Sequence, residues 1–523
     1  MRRRDLLTTA PALAAVSLAA PALAQGKKPL RFIPQANLTV LDPIWTTAVV
    51  TYNHAYMVYD KLYGWDGTQI RPQMAAGHEI SQDQLTWTFT LRDGLKFHDN
   101  TPVLARDAAQ SIRRWGSRDS FGQVLTRYTD EISVLDDKRF AIRLKKPCPQ
   151  LLFGLGARQS FVMPERLALK PGTEQVTDPT GSGPFRFLKD EWVSGVRCAY
   201  AKFDGYVPRN EPPAFFAGGK VAHFDRVEWT VQPDAATAAA ALQKNETDWV
   251  EQPLIDLIPM LKKSPGVYTK VIDPGGWMMF MVINHLNPPF DNPKIRQAVM
   301  VALDQQAFVD SAVGDQQELS IVPTGLFAPT MPMANKVGFE RLTGKRDIAL
   351  AKKMVAESGY KGEPVVIMSP GDQPALKQMS EVAREMFESI GLKVDLQSMD
   401  WGSVVARRAS QNPLEQGGWG AFITVMSPLT AANPGSMLSL RGNGRKGWFG
   451  WPTDERIEEL REAWFDAPDL ARQKTIAEQI QARYYETVPF VVLCRMQQPM
   501  AFRTDIQDVV SASFPMFWGV RRV

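Results

Sequence analysis

Acid–base, metal or nucleophilic chemistry needs particular side chains gathered in one place, and this chain supplies few candidates. Its five histidines, His54, His78, His98, His223 and His285, are scattered, with no i,i+4 pair and no HExxH pattern that would set two imidazoles on one helix face. No Gly-x-Ser-x-Gly elbow is present, and Gly181-Ser182-Gly183 is too short to stand for one. Cys148, Cys198 and Cys494 lie far apart without CxxC spacing, so at most one disulfide can form, and buried free thiols fit equally well. The expectation is no catalytic residue, no metal site and no cofactor, although a metal carried by a chelating solute would need no histidine cluster. A hydrolase therefore lacks its residues. The segment 412–452 is of another kind, punctuated by Gly417-Gly418-Trp419-Gly420, Asn433-Pro434-Gly435 and Arg441-Gly442-Asn443-Gly444. It is expected to be loop throughout, and binding residues collect on such loops.

Several elements can be read around that loop. Leu85-Thr86-Trp87-Thr88-Phe89-Thr90-Leu91 alternates with period two and predicts a strand with Leu85, Trp87, Phe89 and Leu91 on its buried face. Turns follow at Arg92-Asp93-Gly94 and at Asp99-Asn100-Thr101-Pro102. Asp107 is placed to cap a helix running through Ala108, Ile112 and Trp115. Met278 to Asn284 is almost wholly apolar, as a strand covered on both faces would be. Asn292-Pro293 then gives a cap and a proline at the first helical position, with Ile295, Ala298, Val299, Ala302 and Leu303 at helical spacing. Helical spacing returns at Ala349, Lys353 and Ala356, and from Pro468 to Tyr485. Pro364 to Met368, Ala375 to Ile390 and Leu392 to Leu396 read as strand, helix, strand, a crossover that implies parallel pairing.

Bulk properties bound the function. At 523 residues the chain exceeds what one core organises, so at least two lobes are expected. With 60 basic and 56 acidic residues it is near neutral, which argues against nucleic acid as a partner. Arg2, Arg3 and Arg4 precede an Ala/Leu-rich run from Leu6 to Ala20 and the small-residue site Ala22-Leu23-Ala24, a secretory leader expected to be cleaved after Ala24. Arg3-Arg4-Asp5-Leu6-Leu7 resembles the twin-arginine pattern, and the general secretory route is the alternative. No cysteine follows the run to take a lipid, and no later stretch reaches the ~18 to 20 apolar residues of a membrane span, so a freely soluble periplasmic protein is expected.

An ordered series of segments resembles the extracytoplasmic solute-binding family 5, the oligopeptide, dipeptide and nickel binders of ABC importers. It comprises Leu41-Asp42-Pro43, Val58-Tyr59-Asp60-Lys61-Leu62, Trp87 to Asp99, Thr101-Pro102, Ala105-Arg106-Asp107, Gly181-Ser182-Gly183-Pro184-Phe185 and Asn284 to Asp304. Each is weak alone; their order along nearly the whole mature chain is not. Asn100 stands where the family usually has Gly, which a turn at positive φ accommodates.

The resemblance implies an α/β fold of the two-lobed periplasmic binding protein type (class II, cluster C), with mixed and parallel sheets and a hinged cleft. Residues 25–60, 183–272 and 493–523 would form lobe I, 61–182 an extra subdomain packed on it, and 273–492 lobe II. It implies a monomer that captures a small peptide-like or other polar solute and delivers it to an ABC permease in the inner membrane. A periplasmic sensor or chaperone using the same clamp is the alternative reading.

By the same resemblance, Trp401 and Arg408 match a Trp and Arg that face the ligand in oligopeptide members. Trp401 would be a flat wall or a core residue; Arg408, or its neighbour Arg407, would fork onto a carboxylate or line a solvated helix face. Peptide-binding members carry a Trp and an Asp in the next loop, the Asp pairing the peptide's ammonium group. Here Thr424 to Pro434 has no carboxylate, which disfavours ordinary peptides unless Asp42 or Asp400 takes that part. Thr424, Ser427, Thr430 and Asn433 would offer hydroxyl and amide groups instead. The early segment Trp45-Thr46-Thr47 to Tyr52-Asn53 aligns with another cleft wall, offering Thr46, Thr47 and Asn53, and Trp277 and Trp419 are further candidates or core aromatics.

Overall fold

The computed structural model describes residues 28–523; the leader, its arginine pair and its cleavage site lie outside them. Two large sheets organise the chain. The first has seven strands in the order Phe185–Phe187, Arg197–Lys202, Arg226–Thr230, Leu30–Ile33, Trp249–Val250, Pro499–Arg503 and Val267–Val271. Its central strand Leu30–Ile33 is parallel to both neighbours, and the outer pairings are antiparallel. The second has six, in the order Ser320–Ile321, Phe490–Met496, Trp277–Ile283, Ala421–Met426, Val365–Pro370 and Val394–Met399. A separate four-stranded antiparallel sheet is built from residues 75–144. The chain passes between the large sheets twice, from Val271 to Trp277 and from Met496 to Pro499, and Gln497 Nε2 ties the passages together by donating to Pro274 O at 3.1 Å.

Local chemistry accounts for most elements. Thr86–Leu91 buries Trp87, Phe89 and Leu91 on one face, as the alternation predicts, but Leu85 falls just before the strand and is half-buried. Asn100 takes φ 66° in its turn. The helix Pro293–Ala302 starts at Asn292, whose side chain accepts from Lys294 N. Val365–Pro370, the helix Pro374–Ser389 and Val394–Met399 form the parallel crossover, with Val365 opposite Val394. The last of these strands is half exposed rather than buried, because it closes the edge of its sheet.

Two readings need correction. Asp107 does not cap from outside: the helix begins at Ala105, and Asp107, in its first turn, reaches back to accept from Leu104 N at 2.7 Å while its other oxygen takes Glu165 N. Segment 412–452 is not loop throughout. Ala421–Met426 is a buried strand between Trp277–Ile283 and Val365–Pro370, since Phe422, Ile423 and Met426 are too apolar to be left in solvent whatever glycines flank them.

The residues that looked chemically active are structural. His54 and His98 are buried and His285 is partly so, and desolvation lowers their pKa values to about 3, 4 and 3. Their ring nitrogens meet Tyr200 Oη, Gly183 O and Pro489 O respectively. All three cysteines are buried free thiols. Among the described residues no His, Cys, Asp and Glu group could hold a metal, and no helix is long and apolar enough to cross a membrane.

Candidate ligand-binding cleft

Sheet direction decides which candidates face the other half of the molecule. Val365–Pro370, Val394–Met399 and Ala421–Met426 run parallel, so their carboxyl ends share one edge. Met278 lies opposite Met426 and Trp277 opposite Met496, which puts the start of Trp277–Ile283 and both chain passages at that same edge. Ligand sites of open α/β sheets form beyond the carboxyl ends of strands. Trp277 opens its strand there, Ser427 directly follows Met426, and Trp401 comes two residues after Met399.

Trp277 makes the most direct link across. Its ring is 6.4 Å from Phe514, whose ring lies 5.7 Å from both Tyr52 and Tyr56 on the helix Val49–Val58 of the other half. Leu429, two residues beyond Ser427, is fully buried in the apolar cluster of the seven-stranded sheet rather than its own. Ser120 Oγ reaches Gly435 O at 3.5 Å, and Phe121 packs edge-on to Phe465 at 4.9 Å. The 427–435 turn is thus the meeting point of all three sheet systems.

The remaining candidates divide. Trp401 is partly buried; its backbone N–H donates to Asp372 Oδ1 at 2.8 Å, and Asp400 caps the short helix Trp401–Arg407 through Ser403 N. Arg407 holds the 417–418 turn by donating to Gly417 O, Gly418 O and Gln397 Oε1. Arg408 lies 4.6 Å over the Phe449 ring, makes no ion pair among the described residues, and has its pKa lowered to about 10 by burial. Trp419 is fully buried 5.6 Å from Trp451, at the edge of the sheet opposite the passages, where Ala421 pairs with Ile283. Ser427 accepts from Thr430 N and meets the Thr430 hydroxyl, and Asn433 accepts from Ser436 N and Oγ. These polar groups first of all hold the turn that presents Leu429. Thr424 is buried in its strand, Thr46 accepts from Ala48 N, and Thr47 is exposed.

Neither acid considered for an ammonium group is free to serve. Asp42 is ion-paired to Arg114 and accepts two backbone N–H groups, and Asp400 is engaged by its helix. A different carboxyl stands beside the helix Val49–Val58. Glu251 is buried, accepts from Gln35 N and Asn53 Nδ2 at 2.8 Å each, and has its pKa pushed up to about 7 by desolvation. Between pH ~4.5 and 7 the folded chain keeps a proton here that the unfolded chain has lost, so stability falls as pH rises through that window. The expected loss from this group is about 3 kcal/mol, levelling off above pH 7. Urea unfolding at pH 5 and pH 8 should show the difference shrinking in Glu251→Gln; an equal difference in both proteins would remove Glu251 as its source.

Reading by residue type missed Phe514, Tyr56, Leu429 and Glu251, whereas Tyr52 belongs to the early segment that aligns with a cleft wall. Only Phe514 had a signal, the aromatic run Phe514, Phe517, Trp518 near the end of the chain.

Two lobes joined by two passages and meeting around an aromatic and hydrogen-bonding junction have the architecture of a clamp for a solute. Residues 69–448 match the family described as bacterial extracellular solute-binding proteins, family 5 Middle. The chain belongs to that family; it is a binding protein, not an enzyme. It is 37% identical, over 99% of both chains, to a Sinorhizobium fredii protein described as a probable peptide ABC transporter periplasmic-binding protein. It is 25% identical, over 76% of each, to the glutathione-binding protein GsiB of Salmonella paratyphi A. Among solved structures, the dipeptide-binding protein of Pseudoalteromonas in complex with Met-Leu superposes with TM-score 0.81 at 18% identity, covering 95% of this chain and 100% of that one. AgaA of A. tumefaciens with agropinic acid gives 0.78 at 21%, covering 95% and 99%.

Proposed function

We propose that this chain is the periplasmic substrate-binding component of an ABC importer, acting as a monomer after leader removal near Ala24. It captures a peptide-like or other polar solute between its lobes and presents the joined form to an inner-membrane permease. Lobe I comprises the seven-stranded sheet (25–60, 183–272, 493–523), 61–182 is the extra subdomain, and 273–492 is lobe II. The observation that carries the reading is Leu429, a lobe II residue buried in the lobe I cluster, because such a contact can be made and broken as the lobes meet and part. The peptide assignment of the Sinorhizobium relative supports the solute class. The absence of a carboxylate in the 424–434 turn, with Asp42 and Asp400 already engaged, supports a solute without a free ammonium group at that position.

The test is native mass spectrometry of protein from its own periplasm, with scattering before and after solute removal. Retention of a small unmodified molecule and expansion on its removal are expected. Trp401→Ala should weaken retention while keeping a cooperative melting transition. Chemical conversion of the molecule, or identical scattering in both states, would overturn the proposal.

A further inference from the structure

The side chain of Arg158 stands out against the other arginines at the junction. It is 5% exposed, and its Nη2 donates to Asp119 Oδ2 at 2.9 Å. Its Nε and Nη1 are buried without a hydrogen-bond partner, and among the described residues no other arginine has two such nitrogens. Asp119 balances its charge but cannot serve those two nitrogens, because its Oδ2 meets Nη2 and its Oδ1 accepts from Phe121 N and Gly122 N as the cap of the helix Ser120–Tyr128. A buried guanidinium with unused donors is costly unless an acceptor completes it.

Its position joins the three parts of the clamp. Asp119 adjoins Ser120, which contacts Gly435 O of lobe II. Three residues after Arg158, Phe161 packs 5.1 Å from the ring of Tyr56, and the guanidinium partly offsets the burial that raises the phenol pKa values of Tyr52 and Tyr56, the two rings that flank Phe514 and so lead to Trp277. The Tyr56 hydroxyl is also buried and without a partner. Two guanidinium nitrogens and a phenol hydroxyl of this region are therefore without partners, while Asp119 is the charge paired directly with Arg158. That set fits a planar monoanion better than a phosphate dianion, which the neighbouring carboxylate would repel.

We infer that Arg158 is a ligand-binding residue that forks onto a carboxylate of the solute, with Tyr56 supplying a further hydrogen bond. The inference rests on the solute-binding reading and adds the chemical class of the ligand and the residue that selects it. Arg407 and Arg408 are less suited, one being bonded to three acceptors and the other stacked on Phe449.

The probes are N-acetylated dipeptides as free acids, the same compounds as C-terminal amides, and inorganic phosphate, each read by thermal shift and by calorimetry on the mature chain. At least one acid should stabilise the wild type, its amide and phosphate should not, and Arg158→Gln should weaken the acid by about 30-fold or more. Arg158→Lys should retain part of the binding. Should Arg158→Gln fail to fold, the acid and amide comparison on the wild type decides alone. Equal binding of acid and amide, binding of phosphate alone, or no response to any acid overturns the carboxylate assignment. Amide binding with compaction would overturn it while leaving the solute clamp standing; retention of no periplasmic solute, with no compaction by any compound, would remove both.

Discussion

Arg114→Ala should destabilise the protein by about 3–5 kcal/mol, because it strands a carboxylate inside the molecule. Arg114 donates to both oxygens of Asp42, at 3.1 and 2.7 Å, and the two side chains are 2% and 0% exposed. Asp42 also accepts from Val176 N and Ile44 N, and Arg114 donates to Lys170 O and Glu174 O. Three stretches of chain distant in sequence are thus pinned at one point, joining the beginning of lobe I to the extra subdomain. The pair alone is not the source of stability, since well-packed apolar replacements can equal a buried ion pair; what costs is leaving one partner. The double variant Asp42→Leu/Arg114→Met should therefore recover a substantial part of the loss. Urea unfolding of the single and double variants measures this. A single-variant loss under about 1 kcal/mol would mean that water reaches Asp42 and the pair behaves as a surface contact.

The parts of the fold that were legible are those where one local rule was enough. Thr86–Leu91 has a pure period of two, and Asn292-Pro293 starts a helix by capping chemistry alone. The strand Ala421–Met426 was hidden because glycines on either side dominated the local composition, while its pairing with Trp277–Ile283 spans well over a hundred residues. The central strand Leu30–Ile33, with only four residues between neighbours from 226–230 and 249–250, carries no sequence signal of its partners at all.

The site was less legible for a related reason. Trp401 and Trp277 lie at the facing edge, and family resemblance pointed to both, but Trp419 is at the far edge of the same sheet. A residue's distance along the chain from a motif says nothing about which end of a strand it occupies. Arg407 and Arg408 are adjacent, yet one is bound to carbonyls and the other to a ring. Arg158 is an ordinary arginine in sequence. Its interest arises only from burial, one shared carboxylate and two unused nitrogens, all of which are properties of the folded chain.

Leu429→Asp should abolish solute retention while leaving the unfolding of each lobe largely as it was. Leu429 is 1% exposed and sits among lobe I residues, so its burial stabilises the joined arrangement of the lobes and contributes little when they are apart. Removing a buried leucine costs about 2–5 kcal/mol, and an aspartate there adds the desolvation of a charge. Charged to the joined form alone, even about 2 kcal/mol lowers apparent affinity by roughly 30-fold, because binding must first restore that population. Leu429→Ala should give this smaller effect and Leu429→Asp a larger one. The turn itself is held by Ser427, Thr430 and Asn433 hydrogen bonds that neither substitution touches. Scattering should show the Asp variant expanded relative to the wild type, and native mass spectrometry should find it empty. The opposite pattern, retained solute with a melting transition lowered by many degrees, would mean that Leu429 is a permanent part of the lobe I core and that the halves do not separate there.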